Sequence, residues 1–364
     1  MPNSLTGYAR LKPWQARVVW GVIAASTAFC VGVSISPLRS DNFRSRQSGG
    51  SDVALYAAEV ERIAHGEGYY QAAAAELVAR GYPTRSVFNW RPPLPMWLLG
   101  KLPTPRIGQV LLGALGALLL LMGFRAAALE EQPATHLSLQ PFICALLLIG
   151  AVLPTFLDKL YVVPILWSGT FLGLSISAYG LQRPYWGVGF GVAAVFLREL
   201  ALPYCLLAAF LAWRAGRRRE VMAWLVGLAA WLSYYGVHCY KAWSLITPDA
   251  RAHAHGWLCF SGAAFVISTV QMNAFLLLLP QWVSAIYLVA ALVGFAGWNT
   301  PQGTRVGLSA CVFIIAFAFV GQSFNQYWGS LIAPLLCFGA AQTPAALRDL
   351  YLAAVPRWKP AATA

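Results

Sequence analysis

The apolar stretch between Tyr185 and Trp213 is interrupted once, by the charged dipeptide Arg198-Glu199 set in FGVAAVFLRELALPYCLLAAF. An ionised side chain at bilayer depth costs several kcal/mol unless it is paired or faces water, so a chain that keeps one there must build it polar surroundings. Arg183 precedes the stretch and Arg214, Arg217, Arg218 and Arg219 follow it. Loops rich in Lys and Arg stay on the cytoplasmic side. With both flanks on that side, the segment enters and returns, turning near Arg198. Each arm is then about 13 residues, or roughly 20 Å, against a hydrocarbon layer about 30 Å thick. Arms this short need protein or a wet cavity around the turn. The competing reading is one long tilted helix whose Arg-Glu pair bridges to a neighbouring helix.

The rest of the chain agrees with a membrane setting. It is 59% hydrophobic and 11% charged, with many apolar runs of spanning length, which excludes a soluble core. A net charge of +13 would point a soluble protein to nucleic acid. Here the basic residues gather at span ends, as at Arg10, Lys12, Arg125, Arg183 and Arg219, and no RNA-binding motif accompanies them, so the implied partners are membrane lipids. The seven cysteines stand singly in apolar stretches and imply neither a disulfide framework nor a metal cluster.

The expected fold class is all-α, a polytopic transmembrane bundle of about ten spans. The first span covers 17–36 and leaves the cytoplasm. A large periplasmic loop, 37–104, follows with two interfacial amphipathic helices, in SDVALYAAEVERIAHGEGYY and QAAAAELVARGYP, and the Pro-rich piece FNWRPPLPMWLLGKLP. The remaining spans fill 105–344, at about 105–124, 137–156, 160–181, the two arms around Arg198, 221–241, 274–298 kinked at Pro280, 306–322 and 329–344. The segment 260–273 reads as interfacial, Arg305 falls inside, and 345–364 is a cytoplasmic tail.

Polar residues that orientation does not explain concentrate on the outer side. Asp52 opens a helix, where a carboxylate suits the positive end of the dipole. Tyr56 and Glu59, at i+4 and i+7, share its face. A carboxylate beside a membrane cavity can take a proton from an acceptor hydroxyl, the task of a general base. Arg91, stiffened by the prolines of NWRPPLP, either binds a substrate phosphate with its planar fork or reaches ordinary head groups. Arg198 suits an anionic substrate, and Glu199 is either its partner or a second catalytic carboxylate. Asp158 and His238 stand at outer span ends as substrate contacts, His238 with a hydrogen-bonded structural role as the alternative. His253 and His255 lack a further metal ligand at a recognised spacing. No Gly-rich nucleotide loop and no nucleophile elbow occurs.

Together, the Asp-led first outer loop, the R-P-P-L-P segment and F-L-R-E-L-A-L-P-Y in a later span resemble the polytopic GT-C glycosyltransferases of bacteria, in particular their mannosyltransferase-like and aminoarabinose-transferase-like members. The resemblance implies an enzyme of the cytoplasmic membrane, its active site facing the periplasm. It implies a sugar donor on polyprenyl phosphate, with Asp52 as the base and Arg198-Glu199 at the donor. Val53 follows Asp52 where many members carry a second acid, so a divalent cation is an option and not an implied cofactor. A membrane transporter or lipid flippase using the Arg198-Glu199 pair is the reading from a different class.

Overall fold

The computed structural model describes residues 6–36, 52–130, 139–252, 256–258 and 260–355. Among these there are no strands, only two isolated bridges, Thr6 to Trp298 and Leu258 to Val320. Helix α1 (Pro13–Ile35) opens on a proline, whose missing N–H costs nothing in a first turn, so it starts before the expected 17. Residues 37–51 lie outside the described residues, and the segment expected as a large loop is seen from Asp52 on.

That loop folds as α2 (Asp52–Ala64), α3 (Tyr69–Ala79) and the short α4 (Pro93–Gly100). Helix α2 buries Leu55, Tyr56, Glu59, Val60 and Ile63, one stripe at helical spacing. Gly100 ends α4 hard against Ile63 and the carbonyl of Val60, where a side chain has no room.

Among the described residues four helices are long and apolar enough to cross a membrane: α1, α5 (Pro105–Glu130), α10 (Arg218–Trp243) and α14 (Pro301–Phe319). A fifth is reached if Phe324–Leu331 and α15 (Ala333–Ala354), bent by 63°, count as one. The other apolar segments are shorter helices: α6 (Gln140–Val152) of 13 residues, α7 (Pro164–Gly180) of 17, α8 (Pro184–Leu197) of 14, α9 (Leu202–Arg214) of 13 and α13 (Gln281–Gly297) of 17.

The break at Arg198 is real. Arg198 leaves the helical region at φ −152° and ψ 118°, and a 3-10 turn over Glu199–Ala201 follows. Cys205 Sγ then donates to the carbonyl of Gly191 at 3.3 Å, so the residues on either side of the turn lie side by side and α8 and α9 form a hairpin. One long helix would hold them about 20 Å apart. Helix α10 runs parallel to α8, since Gly191 meets Trp224 and Gly227 meets Val192.

Elsewhere the structure corrects the sequence reading. Pro280 does not kink a span over 274–298; the chain breaks there, with α12 (Ala274–Leu277) before it and Pro280 itself, at ψ 145°, capping α13. Helix α11 (Gly262–Val270) has nine residues, about 13 Å, too short to cross. Helix α15 continues through Pro344 to Ala354 instead of ending at 344, because Ala346, Asp349 and Leu350 are buried there and Thr6 Oγ1 donates to Asp349 at 2.7 Å. Arg305 is no loop charge. It lies within α14, 5% exposed, with its guanidinium carbon 3.6 Å from the centre of the Tyr179 ring and Nη2 3.8 Å from Glu220.

Candidate functional site

The Arg198 arm of the hairpin packs against α4, and the charge of Arg198 reaches Tyr327 in the 3-10 segment Ser323–Leu331, which itself packs on α7. Arg198 is 2% exposed, and its Nη1 stands 3.3 Å from Glu199 Oε1. Nε and Nη1 of Arg198 and Oε2 of Glu199 are buried without a hydrogen bond. Adjacent residues in an extended bend cannot align a planar fork on a carboxylate, so the pair neutralises charge while leaving donors unspent. Leaving buried donors unsatisfied costs about 1–3 kcal/mol each, so the bend is held at an energetic cost.

Arg91 is held more completely. Its Nε donates to Tyr56 Oη at 3.0 Å and its Nη1 to the carbonyl of Phe88 at 2.9 Å, while Tyr69 donates to the Arg91 carbonyl. Burial raises the Tyr56 phenol well above its ordinary value, Arg91 opposes it, and the charges of Asp52 and Arg198 both reach it. Arg91 in turn lies in the field of Tyr56, Tyr327, Glu199 and Asp52. Asp52 accepts from Tyr82 at 2.9 Å. Burial raises the Tyr327 phenol, Asp52 adds to this, and Arg91 and Arg198 oppose it.

Asp52, Tyr56, Arg91, Arg198 and Glu199, drawn from three distant stretches of sequence, therefore share one polar centre. Tyr327 belongs to it too and was missed. Its only signal is a phenol in FNQYWG, between two apolar runs, where aromatic residues also serve as interfacial anchors.

Three expected members stand differently. Glu59 faces the other side of Arg91, toward α3: it is 2% exposed, its Oε2 has no hydrogen bond, and burial lifts its carboxyl from 4.5 to about 8, Arg91 pulling down and Glu76 and Asp52 pushing up. His238 is a structural clamp. Its Nε2 lies 3.2 Å from the carbonyl of Trp90, which can only accept, so Nε2 carries the proton and Nδ1 accepts from Tyr70 at 3.3 Å. One ring nitrogen is thus spent on the NWRPP segment and the other on α3, and α10 holds the same segment again through Tyr234, whose hydroxyl accepts from the Leu94 N–H at 3.0 Å. Asp158 is exposed in the turn before the Leu160–Val162 3-10 helix, where its electrostatic neighbour is Tyr161, and it does not join the centre.

Among the described residues no three His, Cys, Asp or Glu side chains are close enough to hold a metal ion. His253 and His255 lie outside the described residues. No protein-family model, no curated protein and no solved structure matches this chain. Its function therefore rests on the geometry and on the likeness of its motifs.

Proposed function

We propose that this chain is a glycosyltransferase of GT-C type that moves a sugar from a polyprenyl-phosphate donor to a hydroxyl of a lipid, glycan or protein, on the outer face of a bacterial cytoplasmic membrane. In this reading the bundle makes about ten passes, counting the two arms around Arg198, and the arginine-rich ends of α8, α9 and α10 stay in the cytoplasm. The single observation that supports it most is that Asp52 and the under-satisfied Arg198 guanidinium, about 150 residues apart in sequence, both act on the same buried Tyr56 phenol.

The chemistry is direct displacement. The acceptor oxygen attacks the anomeric carbon, the bond from that carbon to the phosphate oxygen breaks, and its electron pair leaves with the lipid phosphate. Asp52 takes the proton that the acceptor hydroxyl loses. Arg198 and Arg91 counter the charge that grows on the leaving phosphate, a preorganised arrangement that loses little to reorganisation. Tyr56 and Tyr327 stand between the base and the two cations and are suited to hydrogen-bond the sugar or the phosphate.

The test is Asp52→Asn in membranes supplied with polyprenyl-linked sugar, with Asp52→Glu as a check on folding. Removal of a general base should slow transfer by about a hundredfold or more. Transfer at the native rate in Asp52→Asn would remove the proposed base and with it this mechanism.

A further inference from the structure

The far end of the α8–α9 hairpin carries a second concentration of charge that the proposed transfer does not use. Parallel helices α8 and α10 begin side by side, at Pro184 and Arg218, and α9 ends between them in the chain at Arg214. Arg183, Arg214, Arg217, Arg218 and Arg219 are all exposed around these three helix ends. The acid beside them cannot neutralise them. Glu220 is 3% exposed, takes a hydrogen bond from Tyr179 at 2.7 Å on Oε1 with Arg305 3.8 Å away, and is ion-paired through Oε2 with Arg217 at 3.1 Å. Four arginines are left without that carboxylate.

Membrane orientation asks only that cations remain on one side. It does not ask that they converge on adjoining helix starts. Large exposed aromatics flank the same place, Tyr185 at 58%, Trp186 at 66% and Trp213 at 65%, residues that settle at the level of lipid head groups. The feet of the hairpin thus combine a dense positive surface with anchors at head-group depth.

We infer that this surface binds the phosphates of anionic phospholipids, and that such lipids gather at the hairpin's feet. Arginine suits the role, since its planar fork takes two phosphate oxygens at once. Juxtamembrane basic residues each favour an anionic surface by roughly a fivefold change in affinity, so three of them give a readable preference.

The experiment uses the full-length protein in phosphatidylcholine bilayers doped with spin-labelled phosphatidylglycerol or spin-labelled phosphatidylcholine, and reads the motionally restricted fraction of each. The native protein should restrict the phosphatidylglycerol probe several-fold more, with the excess shrinking as salt is raised. The combined change Arg214→Gln, Arg218→Gln and Arg219→Gln should remove at least a fivefold share of that preference. Arg10→Gln with Arg17→Gln, which alters charge elsewhere, should retain it. Equal restriction of the two probes by the native protein, a preference indifferent to salt, or equal loss in both variants would overturn the inference. Should the triple glutamine variant fail to fold, the lysine triple and the salt series decide, because lysines preserve the charge. None of these readings depends on sugar transfer, so they stand or fall apart from the proposed reaction.

Discussion

Replacing Glu59 by glutamine should make the protein more stable, and the gain should grow with pH. Burial lifts this carboxyl from 4.5 to about 8, so the folded protein prefers it protonated, whereas the unfolded chain releases the proton near 4.5. A raised acid contributes no penalty below 4.5; the penalty builds as pH rises from there to about 8 and is level above. At about 1.4 kcal/mol per tenfold change in proton affinity, roughly 4 kcal/mol of stability should disappear between about pH 5 and pH 9 on account of this residue alone. Glutamine keeps the shape and cannot ionise. Thermal unfolding of the solubilised protein at a series of pH values should show the native Tm falling relative to that of Glu59→Gln by roughly 5 °C or more over that range. Parallel curves for the two proteins would mean that Glu59 is ionised and hydrated in the native state, and the assignment of a neutral acid beside Arg91 would be wrong.

Three further perturbations separate holding from chemistry. Arg198→Met alone strands the Glu199 carboxylate in the bend and should cost about 3–5 kcal/mol, whereas adding Glu199→Leu should recover most of that stability without restoring transfer; recovered transfer would make the pair a structural bridge. Arg91→Lys cannot reach both Tyr56 Oη and the Phe88 carbonyl, so it should lower Tm by a few degrees, and because lysine lacks the planar fork it should also raise KM for the lipid-linked donor tenfold or more; an unchanged KM would take Arg91 out of the donor site. His238→Phe keeps the ring that lies 5.9 Å from Tyr70 but drops both hydrogen bonds, so it should lower Tm by a few degrees while leaving the pH profile of transfer unaltered; an altered profile would return His238 to the chemistry.

What was legible in the sequence followed from cost. A charged dipeptide in an apolar run demands explanation, and the turn at Arg198 is where that demand placed it. The Asp52, Tyr56 and Glu59 stripe followed equally from helical spacing, yet spacing alone could not tell that Glu59 would look away from Arg198 toward α3. Arg305 was mistaken for an orienting charge because its partner Glu220 and its ring partner Tyr179 lie in other helices, and nothing in the spacing of one helix reports a neighbour. The continuation of α15 past Pro344 was hidden for the same reason. Proline weakens a helix locally, and the burial of Ala346 and Leu350 outweighs it.

The shortness of the hairpin arms has an electrical consequence. In a bilayer, arms of 14 and 13 residues reach roughly 20 Å from their feet and leave about 10 Å of hydrocarbon thickness to be filled by water and polar side chains. A transmembrane voltage falls across the insulating part of its path, so most of the drop is compressed onto the stretch below Arg198. A full elementary charge moved through that drop changes in energy by about 2.3 kcal/mol per 100 mV. In the proposed orientation, an anion bound at the Arg198 bend would sit at the edge of a steep field, and its occupancy would follow the membrane voltage.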